Sequence, residues 1–390
     1  MDSIYLDNNA TTRIDPRVAQ AIYECHRAGH VNPASQHRLG RQTRRVLEQA
    51  RDTVGQILGC HLSDMQADRI VFTSGGTEAN NLALLGLAGR PPGRVIISAI
   101  EHPSIVGPAE QLTRLGFDVQ RICVSRDGVV QIDHLRELLN RDTRLVSVML
   151  ANNETGVLQP VPELGALCAE AGVPLHTDAV QVVGKLPVHF HHLGACAMSL
   201  AAHKFHGPRG IGALILRSDV PLAPILFGGF QQEGLRPGTE SVALAVGLSR
   251  ALELWAEEAV ARQQRMASLR DQFEAAIRTE MPDAVINGAA ATRLPHTISL
   301  CFPGIERQSL LMALDLAGIA CSAGSACASG SSEVSPVLLA MGLAPEIAAG
   351  SIRLSLGADS TAQEIAEAFR LIYNTLNNLR QKDGISLILK

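Results

Sequence analysis

VPLHTDAVQVVGKLPVHFHHLGACAMSLAAHKFHGPRGIGALIL, residues 173–216, contains three short apolar runs: VPLHT (173–177), CAMSL (196–200) and IGALIL (211–216). Polar and glycine-rich segments separate them. Upstream, IVFTS (70–74), RVIIS (94–98), VQRICV (119–124) and RLVSVML (144–150) repeat the pattern, with amphipathic segments at 103–115, 133–140 and 161–171 between them. Strands of this length alternating with helices predict an α/β fold whose mostly parallel sheet is covered on both faces. Residues 240–280 read as one long helix or a broken pair. TISLCF (297–302), a helix at 306–317, a short strand at 319–321, a Gly/Ala/Ser-rich loop at 322–333, SIRLSL (351–356) and a final helix at 361–380 follow, which suggests a smaller α+β domain.

The chain has 390 residues, more than a single core usually accommodates, so two domains are expected. Net charge is -4, and no block of like charges forms a tail, which argues against nucleic acid or another polyanion as a partner. MDSIYLDNNATT lacks the basic start and apolar stretch of a signal peptide, and no run approaches the ~20 apolar residues that cross a bilayer. No membrane association and a cytoplasmic location are expected. Eight scattered cysteines without a CxxC pair predict reduced, mostly buried thiols rather than a disulfide framework or a metal cage.

Three motifs carry candidate chemistry. SGGTEANN (74–81) joins a strand to a helix, where glycines and free N–H groups suit an anion, although alone it reads as an ordinary turn. Asp178 follows an apolar strand at the edge where open α/β sheets bind ligands. A carboxylate there can hold a pyridinium nitrogen protonated, with Gln181 three residues on; the alternative is a helix N-cap. Only four lysines occur, Lys185, Lys204, Lys382 and Lys390. Lys204 ends a strand beside His203 in apolar surroundings, the setting of a nucleophilic, Schiff-base-forming amine. Lys185 lies in a GKLP turn and reads as solvated. His189, His191 and His192 read as a solvated turn, and His206 has no evident role.

The order of glycine-rich turn, aspartate and lysine resembles fold-type I pyridoxal phosphate (PLP) enzymes of the class V aminotransferase group. YLDNNATT (5–12), NPASQHRLG (32–40), FTSGGTEANN (72–81), EH (101–102), NNETG (152–156), DAVQVVGK (178–185), HKFHGPRGIG (203–212), LRPGT (235–239), GSACASG (324–330) and SIRLSLG (351–357) narrow it to the NifS/IscS-type cysteine desulfurases. These ten ordered motifs span nearly the whole chain.

The resemblance implies a large PLP-binding domain at 15–258, and a small domain from 1–14 with 259–390 that carries a catalytic-cysteine loop. It implies that Lys204 holds PLP as a Schiff base, that His102 stacks on the ring and moves protons, and that Asp178 pairs with the ring nitrogen. Gln181 and Asn153 would face the phenolic oxygen, and Asn153 the substrate as well. Gly76, Thr77 and His203 would bind the phosphate, beside Ala201, where many members carry serine. Thr239 would reach the phosphate of a neighbouring subunit in a homodimer, and Arg353 would clamp the substrate carboxylate.

Cys327 matches the sulfur-accepting cysteine. On a segment of small residues it could meet the substrate and then offer a persulfide to an acceptor or iron–sulfur scaffold protein. Cys321 reads as a structural thiol. No resident metal is implied, only transient iron–sulfur ligation by Cys327. The implied reaction takes sulfur from L-cysteine and leaves L-alanine. Alternatives are a selenocysteine lyase, a cysteine sulfinate desulfinase or a non-catalytic scaffold. Phe230 and Gln232 depart from the family's glycine-rich GGG-Gln-Glu stretch.

Overall fold

A computed structural model describes residues 3–63, 66–324 and 334–388. Its strands in chain order are β1 (Ile4–Tyr5), β2 (Arg69–Thr73), β3 (Arg94–Ser98), β4 (Asp118–Ile122), β5 (Thr143–Ser147), β6 (Leu175–Asp178), β7 (Ala197–Ala201), β8 (Gly212–Leu216), β9 (Val285–Ile286), β10 (Thr297–Cys301), β11 (Ile319–Ala320) and β12 (Ser351–Ser355). The apolar runs at 70–74 through 211–216 all form strands, shifted by a residue or two. The run at 144–150 leaves regular strand geometry after Ser147, yet the amides of Val148 and Leu150 still bond carbonyls of β6.

The main sheet has seven strands in the order β2-β8-β7-β6-β5-β3-β4. β8 runs antiparallel to both neighbours and the other pairings are parallel, so the sheet is mostly parallel, as expected. β6, β7 and β8 are buried along their whole length, which is why they read as continuous apolar runs rather than as alternating ones. β2 is an edge strand. Gln232 covers its open side: the amide of Phe72 donates to Gln232 Oε1 (2.7 Å), and Gln232 Nε2 donates back to the Phe72 carbonyl (2.9 Å). A side-chain amide thus substitutes for a neighbouring strand.

The 240–280 segment is one helix, Val242–Glu280, 39 residues long and so ~58 Å in length. Its first half packs Leu248 and Leu252 into the core that surrounds the sheet. Its second half places Met266, Phe273 and Ile277 in a separate core with Ile298, Leu354 and Ile372. That second core lies under a three-stranded sheet, β12-β10-β9, and β1 pairs with β11 nearby. The final helix runs from Ala362 to Ile388, beyond the expected 380. Among the described residues, no helix is long and apolar enough to cross a membrane.

Candidate active site

β2, β6 and β7 run in one direction, and their C-terminal ends open onto a cleft of about 260 Å³. The cleft gathers ten of the residues singled out above: Gly76, Thr77, His102, Asn153, Asp178, Gln181, Ala201, His203, Lys204 and Arg353. A larger groove of about 500 Å³ beside β2 contains Arg51, Arg69 and Glu48 but no such converging set. Thr239 lies outside the cleft, in a hollow with Phe72, Ser74 and Arg236. Cys327, with most of its loop, lies outside the described residues.

Each strand end delivers a particular group. After β2 the chain turns directly into the helix Gly76–Leu87. A Cβ at Gly76 would sit 2.9 Å from Val180 Cγ2, so only glycine keeps this helix start open against the cleft. Asp178 closes β6: its Oδ1 accepts from the amide of Val180 (2.9 Å), and its Oδ2 from Asn80 Nδ2 (2.7 Å). No helix follows it, so the N-cap alternative gives way to a turn that holds the carboxylate in the cleft.

Asn80 Nδ2 also donates to Ser104 Oγ (2.8 Å), which approaches His102 Nδ1 at 2.7 Å. Nδ1 further accepts from the Ser104 amide (3.1 Å), so the proton of neutral His102 sits on Nε2. Burial, opposed by Asp178 and reinforced by Lys204 and Arg353, holds His102 below the usual imidazole range. His203 is pushed down to about 4 by burial, with Lys204, Lys185 and Arg209 adding to the effect, and is neutral at pH 7.

Lys204 Nζ donates to the carbonyls of Asn9 (2.6 Å) and Ala10 (2.8 Å). Arg353 is 1% exposed. Its guanidinium reaches Asp7 Oδ1 (2.7 Å), the Asn153 carbonyl (2.9 Å) and the Gly324 carbonyl (3.3 Å). Gln181 Oε1 and Asn80 Oδ1 are buried acceptors without a protein partner, atoms that a polar ligand in the cleft would satisfy.

Four participants escaped the sequence reading: Asp7, Asn9, Asn80 and Ser104. Asp7 and Asn9 belong to YLDNNATT and Asn80 to SGGTEANN, so the signal was present as motif positions whose contacts only the fold reveals. Glu101 is fully enclosed. Its Oε1 accepts from Ser98 Oγ and the Met149 amide, and burial, the largest influence, pushes its carboxyl up to about 8.

Three readings need correction. Lys185 is not solvated: it is 5% exposed, and Nζ has no hydrogen-bond partner, because Gly184 (φ 77°) turns the chain tightly against Phe205 and carries the next side chain inward. His206, at φ 65°, is a fastener: its amide donates to Thr12 Oγ1, its Nδ1 bonds the Arg13 carbonyl (2.9 Å), and its Nε2 accepts from the Ala358 amide (3.3 Å). The histidine turn is ordered rather than merely solvated. His189 stacks on His192, and His191 stacks on His61 while meeting Asp68 Oδ2 at 2.7 Å. His61, Asp68 and His191 offer ligand atoms within 4.8 Å of one another. Asp68 also accepts from the His61 amide (2.8 Å), which holds the carboxylate in place, and the trio precedes β2 and β7 at the sheet end opposite the cleft.

The seven described cysteines are all free. Burial pushes Cys321 up to about 12, which fits the structural role expected of it.

The family model for aminotransferase class-V matches residues 4–368. A cysteine desulfurase IscS from Dictyoglomus turgidum is 38% identical over 380 residues, covering 97% of this chain and 95% of that protein. The structure of a NifS-like protein from Rickettsia africae superposes with a TM-score of 0.88 at 33% identity, covering 96% of this chain and 99% of that one. A structure of SspA in complex with cysteine gives 0.80 at 31% identity, covering 92% and 99%. With a matching family model over most of its length and relatives of this closeness end to end, the chain belongs to the class V aminotransferases, within their cysteine desulfurase family.

Proposed function

We propose that the chain is a PLP-dependent cysteine desulfurase in which Lys204 carries the cofactor and Cys327 receives the sulfur. The observation that carries this reading is the convergence of Lys204, Asp178, His102 and Arg353 on one cleft built from four separate segments. The cleft residues suit PLP. An open helix start at Gly76 and Thr77, beside neutral His203, would take the phosphate. Asp178, fixed by Asn80 and the Val180 amide, would hold the ring nitrogen protonated. Bound there, PLP supplies an electron sink for charge developing at the substrate α-carbon.

The protein's own groups do the rest. Lys204 moves the proton at the substrate α-carbon, and the Asn9 and Ala10 carbonyls hold its ammonium form in place. His102, with its tautomer set by Ser104, presents an N–H on Nε2. Arg353 exchanges its contact with Asp7 for the substrate carboxylate, a fork that an arginine satisfies better than a lysine. The Cys327 thiolate attacks the sulfur of the substrate: the Cβ–S bond breaks, an S–S bond forms, and the electron pair returns to the carbon skeleton. In sum, L-cysteine and the Cys327 thiol become L-alanine and a Cys327 persulfide, which an acceptor protein removes.

A second copy of the chain would supply Thr239. Phe227 and Phe230, 87% and 85% exposed in the stretch before it, support a homodimer. The free thiols suit the reducing cytoplasm.

Incubation with L-cysteine tests the reading. Equimolar alanine and sulfide are expected with a thiol present, and neither with Lys204→Ala or Cys327→Ser. Alanine formation by Cys327→Ser from cysteine sulfinate or selenocysteine, with none from cysteine in the native protein, would move the assignment to those substrates.

A further inference from the structure

Behind Lys204, on the side away from the cleft, Lys185, His296, His206 and Arg262 line a cavity of about 10 Å³, and Lys204 forms part of its wall. No carboxylate lines it among the described residues. Two buried polar atoms there lack partners: Lys185 Nζ and His296 Nδ1. They are complementary. His296 Nε2 lies 2.7 Å from Asn9 Oδ1, and Asn9 uses its Nδ2 to donate to Thr297 Oγ1 (2.9 Å) and the Asn153 carbonyl (3.2 Å). Asn9 Oδ1 is therefore an acceptor, His296 Nε2 carries the proton, and Nδ1 is a bare acceptor. Lys185 is a donor without an acceptor. The cavity between them is the size of one water molecule, which would accept from the first and donate to the second.

The chain of contacts does not stop at Asn9. Its backbone carbonyl accepts from Lys204 Nζ at 2.6 Å. His296, Asn9 and Lys204 are thus linked through the side chain and then the backbone carbonyl of Asn9, while Lys185 lines the same cavity without a hydrogen bond to any of them. The two amines are unequal. Lys204 has two carbonyls to receive an ammonium, whereas Lys185 has none and would be charged in an apolar enclosure, a costly state. A packing role alone would be met better by methionine, which fills similar space without burying an amine.

We propose that Lys185, across the small cavity it shares with His296 and Lys204, is a positioning residue that sets the protonation and orientation of Lys204. The inference rests on the reading of Lys204 as the cofactor lysine. Protons on Lys185 and Lys204 repel each other, so the pair titrates jointly, and protonation of Lys185 promotes the uncharged Lys204 that attack and proton abstraction require, against the two carbonyls that favour its ammonium form. The low position of Lys185, at about 7 through burial first and Lys204 second, agrees with this arrangement. Of the other groups around the cavity, burial holds His206 below the usual imidazole range, and Arg262 and, beyond His296, Arg270 and Arg353 are ion-paired with Glu258, Asp271 and Asp7.

With four lysines in the chain, [ε-13C]lysine NMR of the holoenzyme resolves each free amine, and Lys185→Met assigns the signal. The Lys185 signal is expected to titrate at least two pH units below those of Lys382 and Lys390; titration alongside them would overturn the proposal. Independently, the visible absorbance of the Lys204–cofactor imine is followed against pH. Removal of the neighbouring charge should displace the Lys185→Met curve upward by on the order of half to one pH unit, and His296→Phe should also displace it. Curves superimposable on the native one in both variants would overturn the proposal. Neither readout needs turnover. Displaced curves in a protein that makes no alanine from cysteine would leave this inference standing and remove the proposed function.

Discussion

Ala201→Ser should slow the loss of cofactor markedly. Ala201 ends β7, is almost fully buried, and lies against the bare helix start: its Cβ is 3.5 Å from where a Cβ on Gly76 would stand. Serine adds one oxygen at that point without extending the backbone, and the missing Cβ of Gly76 leaves room for it. The hydroxyl would donate to the phosphate position. A hydrogen bond to a charged acceptor contributes about 1.5–3 kcal/mol, which corresponds to a dissociation constant about 10- to 150-fold smaller. The assay is dialysis of the holoenzyme against cofactor-free buffer, with retained cofactor measured by absorbance after denaturation. Thr77→Ala serves as the opposite control, losing a hydroxyl from the same cradle. Equal loss rates for the native protein and Ala201→Ser would refute the placement of the phosphate at Gly76 and Thr77.

Arg353→Lys should raise KM for cysteine by roughly 10-fold or more, because an ammonium replaces one prong of the fork and leaves the Asn153 carbonyl without its donor; an unchanged KM would separate Arg353 from the substrate carboxylate. Gln232→Ala removes both bonds to the open edge of β2 and should cost about 1–3 kcal/mol, read as a lower denaturation midpoint with an unchanged slope. Glu101 gives a pH prediction: its carboxyl is raised from an ordinary value near 4.5 to about 8, so the folded chain holds a proton that the unfolded chain releases. Its stabilising contribution is complete below about 4.5 and fades as pH rises through 8. Glu101→Gln should therefore flatten the decline of Tm between about pH 4.5 and 8, and parallel Tm curves would contradict the protonated assignment.

The sheet was legible because its central strands β6, β7 and β8 are buried on both faces. β3 was placed to the residue, and β6 to β8 within two, since continuous burial leaves no ambiguity of period. Lys204, Asp178 and Gly76 were legible because each ends or follows such a strand. Lys185 was not: a GKLP turn looks exposed in one dimension, and only the packing of Gly184 on Phe205 turns it inward. Asn80, Ser104 and Asn9 act through bonds between segments far apart in sequence, for which no local pattern exists. Gln232 looked like an unexplained departure because its partner, the edge of β2, lies 160 residues away.

The segment from Asp7 to Thr12 has a consequence for how the molecule comes into being. It lies across the back of the cleft, bonded to Lys204, His203, Arg353 and Ser355. A ribosome delivers these residues some 340 residues before the last of their partners. Until those partners emerge the segment has no settled place, and its carbonyls cannot hold Lys204. The cleft is therefore finished late in synthesis by a segment made long before, and an unfinished chain is also an inactive one.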